Sequence, residues 1–235
     1  RPRVASDLVP RPRLLERLGQ RLWRPLTLVS APAGYGKTTL VSTWLATWDG
    51  PKAWLSLDEH DSDLTAFLSY FVAAIQTMFP QACQESEGLL RAASLPPVPV
   101  IAATLLNELA DIDQSYVLVL DDYHTIREQS IRELLAELLR HPPEGMQLVL
   151  VTRRDPLLPL AQLRAKGLVT EIRTEDLRFT TAEAAALLQQ WIETPVDEAT
   201  ISLLERTTEG WVTGLRLVVL SVRHRGDLDN LVAGL

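Results

Sequence analysis

The feature that most constrains this chain is a glycine-rich junction, GYGKTT, at residues 34–39. An apolar run suited to a buried strand, LTLVS (26–30), precedes it, and a helical pattern begins at residue 37. Glycine permits backbone conformations that turn N–H groups inward, and the N-terminus of the following helix adds the positive end of its dipole. A strand, a glycine loop and a helix in this order are typical of a phosphate-binding loop.

Within this loop the residue types suit contact with a nucleoside triphosphate. Lys37 is expected to reach the β and γ phosphates, and the Thr38 hydroxyl to bind Mg²⁺. The strict pattern has a glycine where this chain has Ala31, which implies a negative φ there. Tyr35 either packs near the nucleotide or is only exposed, and the alternative for the whole segment is an ordinary strand-to-helix turn. The predicted cofactor-binding residues of the loop are Ala33, Gly34, Tyr35, Gly36, Lys37, Thr38 and Thr39.

A second apolar run, VLVLDDYH, ends in two carboxylates. Its position downstream of the glycine loop suits a Walker B strand. Asp121 is expected to hold Mg²⁺, directly or through water, and Asp122 to orient or deprotonate an attacking water. The alternative is an acidic pair that only starts a loop or caps a helix.

A third run, QLVLVTRRDP, ends in two arginines, Arg153 and Arg154. An arginine at this position could approach the γ-phosphate, where a cation stabilises the charge that develops in phosphoryl transfer. The alternative is a surface salt bridge. His124 follows the acidic pair and is either a site contact or, more commonly, a plain loop residue.

Short apolar runs alternate with longer helical patterns, which indicates crossover units around a parallel sheet. We therefore predict an α/β fold, a P-loop NTPase with a parallel five-stranded sheet flanked by helices. Residues 80–98 are interpreted as an exposed connection with one short helix, either a lid or a partner surface. The predicted strands are 26–30, 52–57, 116–121, 147–152 and 168–173, and the predicted helices are 37–48, 63–79, 99–113 and 127–140.

After residue 178 only helical patterns continue. Thr180 or Thr181 can cap a helix that runs through residue 192, with Glu183 early in its first turn. Further helices are predicted at 197–207 and from 211. We predict a P-loop nucleotide-binding domain at 1–178 and a small all-α domain at 179–235, cut short at its C-terminus.

Charge and composition restrict the possible partners. A net charge of −7 argues against a broad nucleic-acid-binding surface. Seven arginines crowd the first 24 residues and lie either on a solvated helix or beside a bound polyanion. The single cysteine, Cys83, cannot form an internal disulfide, and neither a leader peptide nor a membrane-spanning run is evident. These features predict a cytoplasmic protein without a membrane partner.

Taken together, these motifs resemble the nucleotide-binding portion of MalT-type regulators, the large ATP-binding LuxR-family transcription activators. The resemblance covers nearly the whole chain and places it among the signal-transducing NTPases with numerous domains, the STAND class. It rests on VPRPRLLERL, SAPAGYGKTTLVSTWL, WLSLDEHDSD, VLVLDDYH, LVTRRDPLLPLAQLRAKG, EDLRFTTAEA and EGWVTGLRL.

The resemblance implies a switch that uses ATP, ADP and Mg²⁺. In such proteins ADP holds a closed monomer, an inducer together with ATP opens the protein for self-association, and slow hydrolysis resets it. Carried onto this sequence, Asp122 assists the attacking water, Arg153 senses the γ-phosphate and Arg11 lies near the base and ribose. The expected enzymatic activity is a weak Mg²⁺-dependent ATPase.

Such regulators also contain a winged-helix region, a helical sensor arm and a C-terminal helix-turn-helix, through which inducer and DNA would bind. None of these is visible here, so we expect a fragment. The segment EGWVTGLRL corresponds to a Gly-x-Pro turn that contacts the nucleotide in related switches, but Thr213-Gly214-Leu215 has no proline and that contact is not transferred. The alternatives to a switch are a dedicated fast ATPase or kinase, and a nucleotide-locked scaffold without hydrolysis.

Overall fold

The computed structural model describes residue 2 and residues 8–19, 24–191 and 196–225. The strands are Leu26–Ser30 (β1), Lys52–Ser56 (β2), Tyr116–Asp121 (β3), Met146–Thr152 (β4) and Val169–Ile172 (β5). The α-helices are Pro12–Gly19 (α1), Lys37–Ala46 (α2), Leu64–Met78 (α3), Gln84–Leu90 (α4), Val98–Ala110 (α5), Gln129–Arg140 (α6), Leu160–Ala165 (α7), Thr174–Leu177 (α8), Thr181–Trp191 (α9), Glu198–Thr208 (α10) and Val212–Arg225 (α11). None of the helices in these ranges combines the length and apolar content that a membrane crossing needs.

The five strands form one parallel sheet in the order β2-β3-β4-β1-β5. The predicted α/β fold with a parallel five-stranded sheet is therefore confirmed. Because all strands run in the same direction, their carboxyl ends lie along one edge of the sheet. β4 lies between β1 and β3, so the segments that follow these three strands are neighbours at that edge.

The central strands are covered on both faces. β1, β3 and β4 are buried along their whole length, as expected for parallel strands that read as continuous apolar runs. Leu28 and Leu118 belong to the apolar cluster that includes α3, α5 and α6. Val29 and Val119 belong to a second cluster with α1 and α2. The helices on both faces thus fix the strand ends that carry the predicted site.

The predicted element boundaries differ from the structure by a few residues at most, but residues 80–98 needed correction. They were expected to form an exposed connection with one short helix. The short helix is present as α4, but it packs against α5 and Cys83 is buried. The Glu108 carboxylate accepts hydrogen bonds from the N–H groups of Glu85 and Ser86, at 2.7 and 3.0 Å. The polar composition of this segment suggested exposure, but some of its polar groups form hydrogen bonds with the protein instead of with solvent.

The three helices that follow α8, namely α9, α10 and α11, are called the C-terminal helices below. They enclose their own apolar cluster, which includes Phe179, Leu188 and Leu204. Thr180 caps α9 through a reciprocal pair of hydrogen bonds with Glu183, at 3.1 and 3.2 Å, so one of the two predicted caps is confirmed. The division into domains at residue 178 stays a prediction. Residues 192–195 and 226–235, where parts of the helical domain were predicted, lie outside the described residues.

Candidate nucleotide-binding site

The loop of residues 31–36 connects β1 to α2 at the carboxyl edge of the sheet. Gly34 and Gly36 have φ values of 78° and 77°, a conformation that glycine adopts without strain. α2 begins at Lys37 without a side-chain cap on its first N–H groups, so these donors remain available to a ligand. Ala31 is buried and does not have a positive φ, as predicted for an alanine at this position.

Lys37 is buried where the loop meets α2. Its ammonium donates a hydrogen bond to the Pro32 carbonyl at 2.8 Å. Burial, and then the nearby charge of Arg153, lower the pKa of the Lys37 ammonium, whereas Asp122 and Asp121 act in the opposite direction. Because a buried cation gains from additional negative partners, this arrangement favours a polyanion in the loop.

Thr38, in the first turn of α2, and Asp121, at the end of β3, come together at the carboxyl edge of the sheet. The Thr38 hydroxyl donates to Asp121 Oδ1 at 3.3 Å, and the Asp122 N–H donates to the same oxygen at 2.9 Å. Burial raises the pKa of the Asp121 carboxyl, and the two hydrogen bonds oppose that effect. A hydroxyl and a carboxylate are the oxygen ligands that Mg²⁺ takes when it also binds phosphates. The residues present therefore fit the predicted metal and nucleotide.

Asp122 occupies an unusual backbone conformation beside this pair. Its φ of 54° lies in the left-handed region, which costs a non-glycine residue about 1–3 kcal/mol and is found preferentially at functional sites. Its carboxylate is about half exposed, 3.7 Å from His124 Nδ1. Burial, and then the charge of Arg153, lower the pKa of His124. Arg154 donates to the His124 carbonyl at 3.3 Å, whereas it is the charge of Arg153 that acts on the pKa of Lys37.

A cavity of about 480 Å³ lies between the glycine loop, the N-terminal segment and the C-terminal helices. Its size falls within the range of small-molecule sites, about 300–1,000 Å³. Its wall is mostly apolar. Of the predicted residues, Arg11, Gly34, Gly36 and Thr39 line the cavity. Tyr35 instead is partly buried against the apolar cluster around α2. The full lining is Leu8, Val9, Pro10, Arg11, Leu15, Gly34, Gly36, Thr39, Leu40, Thr43, Phe179, Leu187, Val212, Thr213 and Arg216.

The segment GWVTG (210–214) reaches the glycine loop, which sequence reasoning missed. The Trp211 indole N–H donates to the Ala33 carbonyl at 3.1 Å, and the Thr213 hydroxyl donates to the Gly34 carbonyl at 2.9 Å. The Thr213 N–H also points at the Gly34 carbonyl, at 3.3 Å. In the sequence, this segment resembles a turn that contacts the nucleotide in related switches. Because the proline of that turn is missing, a contact with the nucleotide was not predicted.

Arg11 lines the cavity, yet its guanidinium binds other parts of the protein. It donates to the carbonyls of Leu177 and Arg178, both at 2.9 Å, and lies 3.2 Å from the Glu183 carboxylate. It also stacks over the Phe179 ring at 4.6 Å. Contact between Arg11 and a base or ribose stays a prediction. The observed bonds all come from Nη2, and the buried Nε of Arg11 has no hydrogen-bond partner among the described residues.

Two further arginines of α1 continue this contact. Arg13 Nε lies 3.0 Å from Glu183, and Arg17 pairs with Asp176. These five residues, Arg11, Arg13, Arg17, Asp176 and Glu183, are called the arginine anchor below. The N-terminal arginines that the structure describes at these positions therefore attach α1 to α8 and α9. Arg24, also of that cluster, donates to the Val169 carbonyl of β5 at 2.6 Å, and residues 1, 3 and 21 lie outside the described residues.

The sequence matches the AAA ATPase domain family over residues 8–151. The chain belongs to this family. Two solved structures share this fold. A Walker-type ATPase of Pyrococcus abyssi has a TM-score of 0.58 and 15% identity, with 97% of this chain and 71% of that chain covered. Cdc6p of Pyrobaculum aerophilum has a TM-score of 0.58 and 16% identity, with 96% of this chain and 65% of that chain covered. At these identities the likeness concerns the fold alone.

Relatives named HTH-type transcriptional regulator MalT resemble almost the whole chain. The protein of Serratia proteamaculans is 39% identical over 224 residues, which are 95% of this chain and 25% of that protein. The protein of Klebsiella pneumoniae is 38% identical over 227 residues, 97% of this chain and 25% of that protein. The predicted resemblance to the nucleotide-binding portion of MalT-type regulators is confirmed. The chain spans a quarter of the length of these relatives.

Proposed function

We propose that this chain is the ATP- and ADP-binding regulatory switch domain of a MalT-like transcription regulator. The observation that carries the proposal is the meeting of Thr38 and Asp121, 3.3 Å apart, beside a loop whose two central glycines have positive φ. The AAA ATPase domain match supports the nucleotide chemistry, and the MalT relatives support the regulatory setting.

In the proposed complex the phosphates bind the glycine loop, and the base and ribose occupy the adjacent cavity. Lys37 would exchange its Pro32 carbonyl partner for phosphate oxygens, and N–H groups of the loop and of the first turn of α2 would bind the rest of the polyanion. Thr38 and Asp121 would hold Mg²⁺, which neutralises phosphate charge when bound. Arg11 would contribute to the ribose side of the cavity.

Slow hydrolysis is proposed to reset the switch. Asp122 would orient or deprotonate the attacking water, and Arg153 would face the γ-phosphate. Because ATP and ADP differ in the charge presented to Arg153, they would favour different conformations of the protein. A MalT-like role implies a cytoplasmic protein that self-associates in its ATP-bound state, with inducer and DNA bound by other regions of a full-length regulator.

Direct measurement of nucleotide binding tests the proposal. The purified chain is denatured, any released nucleotide is identified by chromatography, and ADP and ATP with Mg²⁺ are titrated onto stripped protein. We expect both to bind, and Lys37→Ala to lose about 100-fold in affinity, since several charge-assisted hydrogen bonds are lost. Lys166→Ala, at an exposed lysine remote from the loop, is the matched control and should bind normally. Unchanged affinity in Lys37→Ala would refute the phosphate-loop assignment.

Turnover separates the switch from its alternatives. Slow Mg²⁺-dependent hydrolysis that Asp122→Asn reduces further, with binding intact, is the result expected of a switch. Steady turnover above about one per second would favour a dedicated ATPase or kinase. Binding without any hydrolysis would favour a nucleotide-locked scaffold, and no binding at all would overturn the proposed function.

A further inference from the structure

Two donors at the start of α11 hold carbonyl groups of the glycine loop. The Trp211 indole N–H lies 3.1 Å from the Ala33 carbonyl, and the Thr213 hydroxyl lies 2.9 Å from the Gly34 carbonyl. We propose that Trp211 and Thr213 are positioning residues for nucleotide binding: they fix the orientation of the loop and make docking of the C-terminal helices depend on bound nucleotide. This inference rests on the proposed function, in which the loop binds phosphates.

Peptide geometry connects these carbonyls to the N–H groups of the loop. In a planar trans peptide the C=O and N–H bonds point in opposite directions, and no cis peptide occurs within the described ranges. Because the Ala33 carbonyl is held toward Trp211, the Gly34 N–H is turned away from α11. The bond from Thr213 to the Gly34 carbonyl does the same for the Tyr35 N–H. Inward-turned N–H groups of this kind are what a phosphate loop offers to a polyanion.

The loop and α11 are also in close steric contact at Gly34. A Cβ atom added there would lie 2.6 Å from Thr213 Oγ1 and 2.7 Å from Trp211 Nε1. At Gly36, by contrast, the nearest atom would be Val212 Cγ1 at 3.9 Å. A shift of the backbone at Gly34 must therefore displace the start of α11, whereas a shift at Gly36 need not.

The start of α11 is in turn fixed to the other C-terminal helices. Gly210, with a φ of 65°, donates its N–H to the Glu205 carbonyl at 2.9 Å. Its own carbonyl accepts the Phe179 N–H at 2.8 Å, and the Trp211 carbonyl accepts the Leu215 N–H at 3.0 Å. These bonds tie the loop-contacting segment to α10, to α11 and to Phe179, which lies just before α9. A change in the loop can therefore be passed to the C-terminal helices.

Thermodynamic linkage makes this coupling reciprocal. If the two hydrogen bonds favour the loop shape that binds nucleotide, bound nucleotide favours the two hydrogen bonds to the same extent. A neutral hydrogen bond changes an equilibrium constant by about 2- to 12-fold. Loss of both side-chain donors is therefore expected to weaken ADP binding by about tenfold.

Calorimetric titration of ADP with Mg²⁺ onto the nucleotide-free chain tests the proposal. The variant Trp211→Phe/Thr213→Val removes both side-chain donors, keeps an aromatic ring and preserves the volume of the threonine, and should bind ADP about tenfold less tightly. Thr213→Val alone should weaken binding about threefold. Thr213→Ser keeps the hydroxyl and should bind ADP like the wild-type chain, which would show that the donor, and not the side-chain bulk, is responsible.

Two matched variants remove comparable hydrogen bonds that do not reach the loop. The Trp48 indole donates to the Pro51 carbonyl at 3.4 Å, and the Thr208 hydroxyl donates to the Leu204 carbonyl at 2.7 Å. Trp48→Phe and Thr208→Val should therefore leave ADP affinity unchanged. If they weaken ADP binding as much as the loop-contacting variants do, the effect is general destabilisation and the inference is wrong.

Hydrogen exchange separates positioning from a purely structural role. In the wild-type chain, bound ADP should slow the hydrogen exchange of the N–H groups in residues 211–215. The double variant should lack this protection even when enough ADP is added to saturate the variant. If the double variant melts at a lower temperature, the comparison of Thr213→Val with Thr213→Ser carries the test.

The outcomes distinguish the inference from the function on which it rests. Failure of the wild-type chain to bind ADP would overturn the proposed function itself. If the wild type binds ADP and the double variant binds it with the same affinity, the proposed function stands and the positioning role of Trp211 and Thr213 is refuted.

Discussion

Two of the contacts that the C-terminal helices make with the rest of the protein differ in chemistry. At the arginine anchor, Arg11 and Arg13 bind the Glu183 carboxylate and main-chain carbonyls of residues 176–178. At the glycine loop, Trp211 and Thr213 donate neutral hydrogen bonds to two carbonyls. Charge-assisted hydrogen bonds are roughly twice as strong as neutral ones, so the anchor is the stronger of the two contacts.

The two contacts also differ in what lies beside them. Arg11 lines the cavity proposed to hold the base and ribose, and its Nη2 binds the carbonyls of Leu177 and Arg178 and the Glu183 carboxylate. The partners of Trp211 and Thr213 are peptide groups whose N–H sides face the proposed phosphates. The glycine-loop contact is the weaker of the two, and it involves the loop that is proposed to bind the phosphates. Bound nucleotide should therefore change this contact more than it changes the anchor.

Arg11→Met has the largest expected effect, since it removes the buried cation of the anchor. Glu183 would lose one of its arginine partners, and the carbonyls of Leu177 and Arg178 would lose a donor. We expect the free energy of unfolding in urea to fall by about 3 kcal/mol. Arg17→Met is the control, because the more exposed Arg17–Asp176 pair should contribute less than about 1 kcal/mol. Equal losses in the two variants would refute the central place of Arg11 in the anchor.

An alanine at Gly34 or at Gly36 tests the weaker contact. Both glycines have a φ near +78°, so either variant should lose about 1–2 kcal/mol of stability through backbone strain. Only at Gly34 does the added methyl meet Thr213 and Trp211, and the overlap should cost about 1 kcal/mol more.

Hydrogen exchange gives the clearer reading of this pair. Gly34→Ala should speed exchange at the start of α11, and Gly36→Ala should leave it close to the wild-type rate. Similar exchange in the two variants would mean that the loop and α11 are not mechanically connected at Gly34.

The parts of the site that the sequence predicted are local in the chain. The glycine loop and the carboxylates after β3 each lie within a few consecutive residues, and a parallel sheet necessarily brings such strand ends to one edge. The common direction of the strands predicts that Lys37, Thr38 and Asp121 lie near each other, and the 3.3 Å contact between Thr38 and Asp121 agrees with that prediction.

The contacts that the sequence did not predict join distant segments. Trp211 lies 178 positions from Ala33, and Arg11 lies 166 positions from Leu177. No periodicity or spacing rule connects such pairs, because their meeting depends on how the C-terminal helices pack after β5. The N-terminal arginines illustrate the point, since their charge suggested solvent or a polyanion and their partners are carbonyls and carboxylates of α8 and α9.

Glu183→Gln has the smallest expected effect and tests whether charge distinguishes the anchor. Burial alone would raise the pKa of Glu183, but hydrogen bonds from Arg13 and the Thr180 N–H, with the charge of Arg11, lower it below the ordinary 4.5. A lowered carboxyl pKa adds stability that is fully present above pH 4.5 and is lost as the pH falls through the folded-state value.

Glutamine keeps the size of the side chain and an acceptor oxygen, so at pH 7 the variant should lose only about 1 kcal/mol. Because protonation of the wild-type carboxyl removes the same charge, the difference between the two chains should shrink as the pH falls below 4.5. Urea denaturation of both chains from pH 7 to pH 3.5 measures this difference. If the difference stays constant over that range, the anchor is stabilised by shape and neutral hydrogen bonds and not by charge. The anchor would then differ from the glycine-loop contact only in its number of hydrogen bonds.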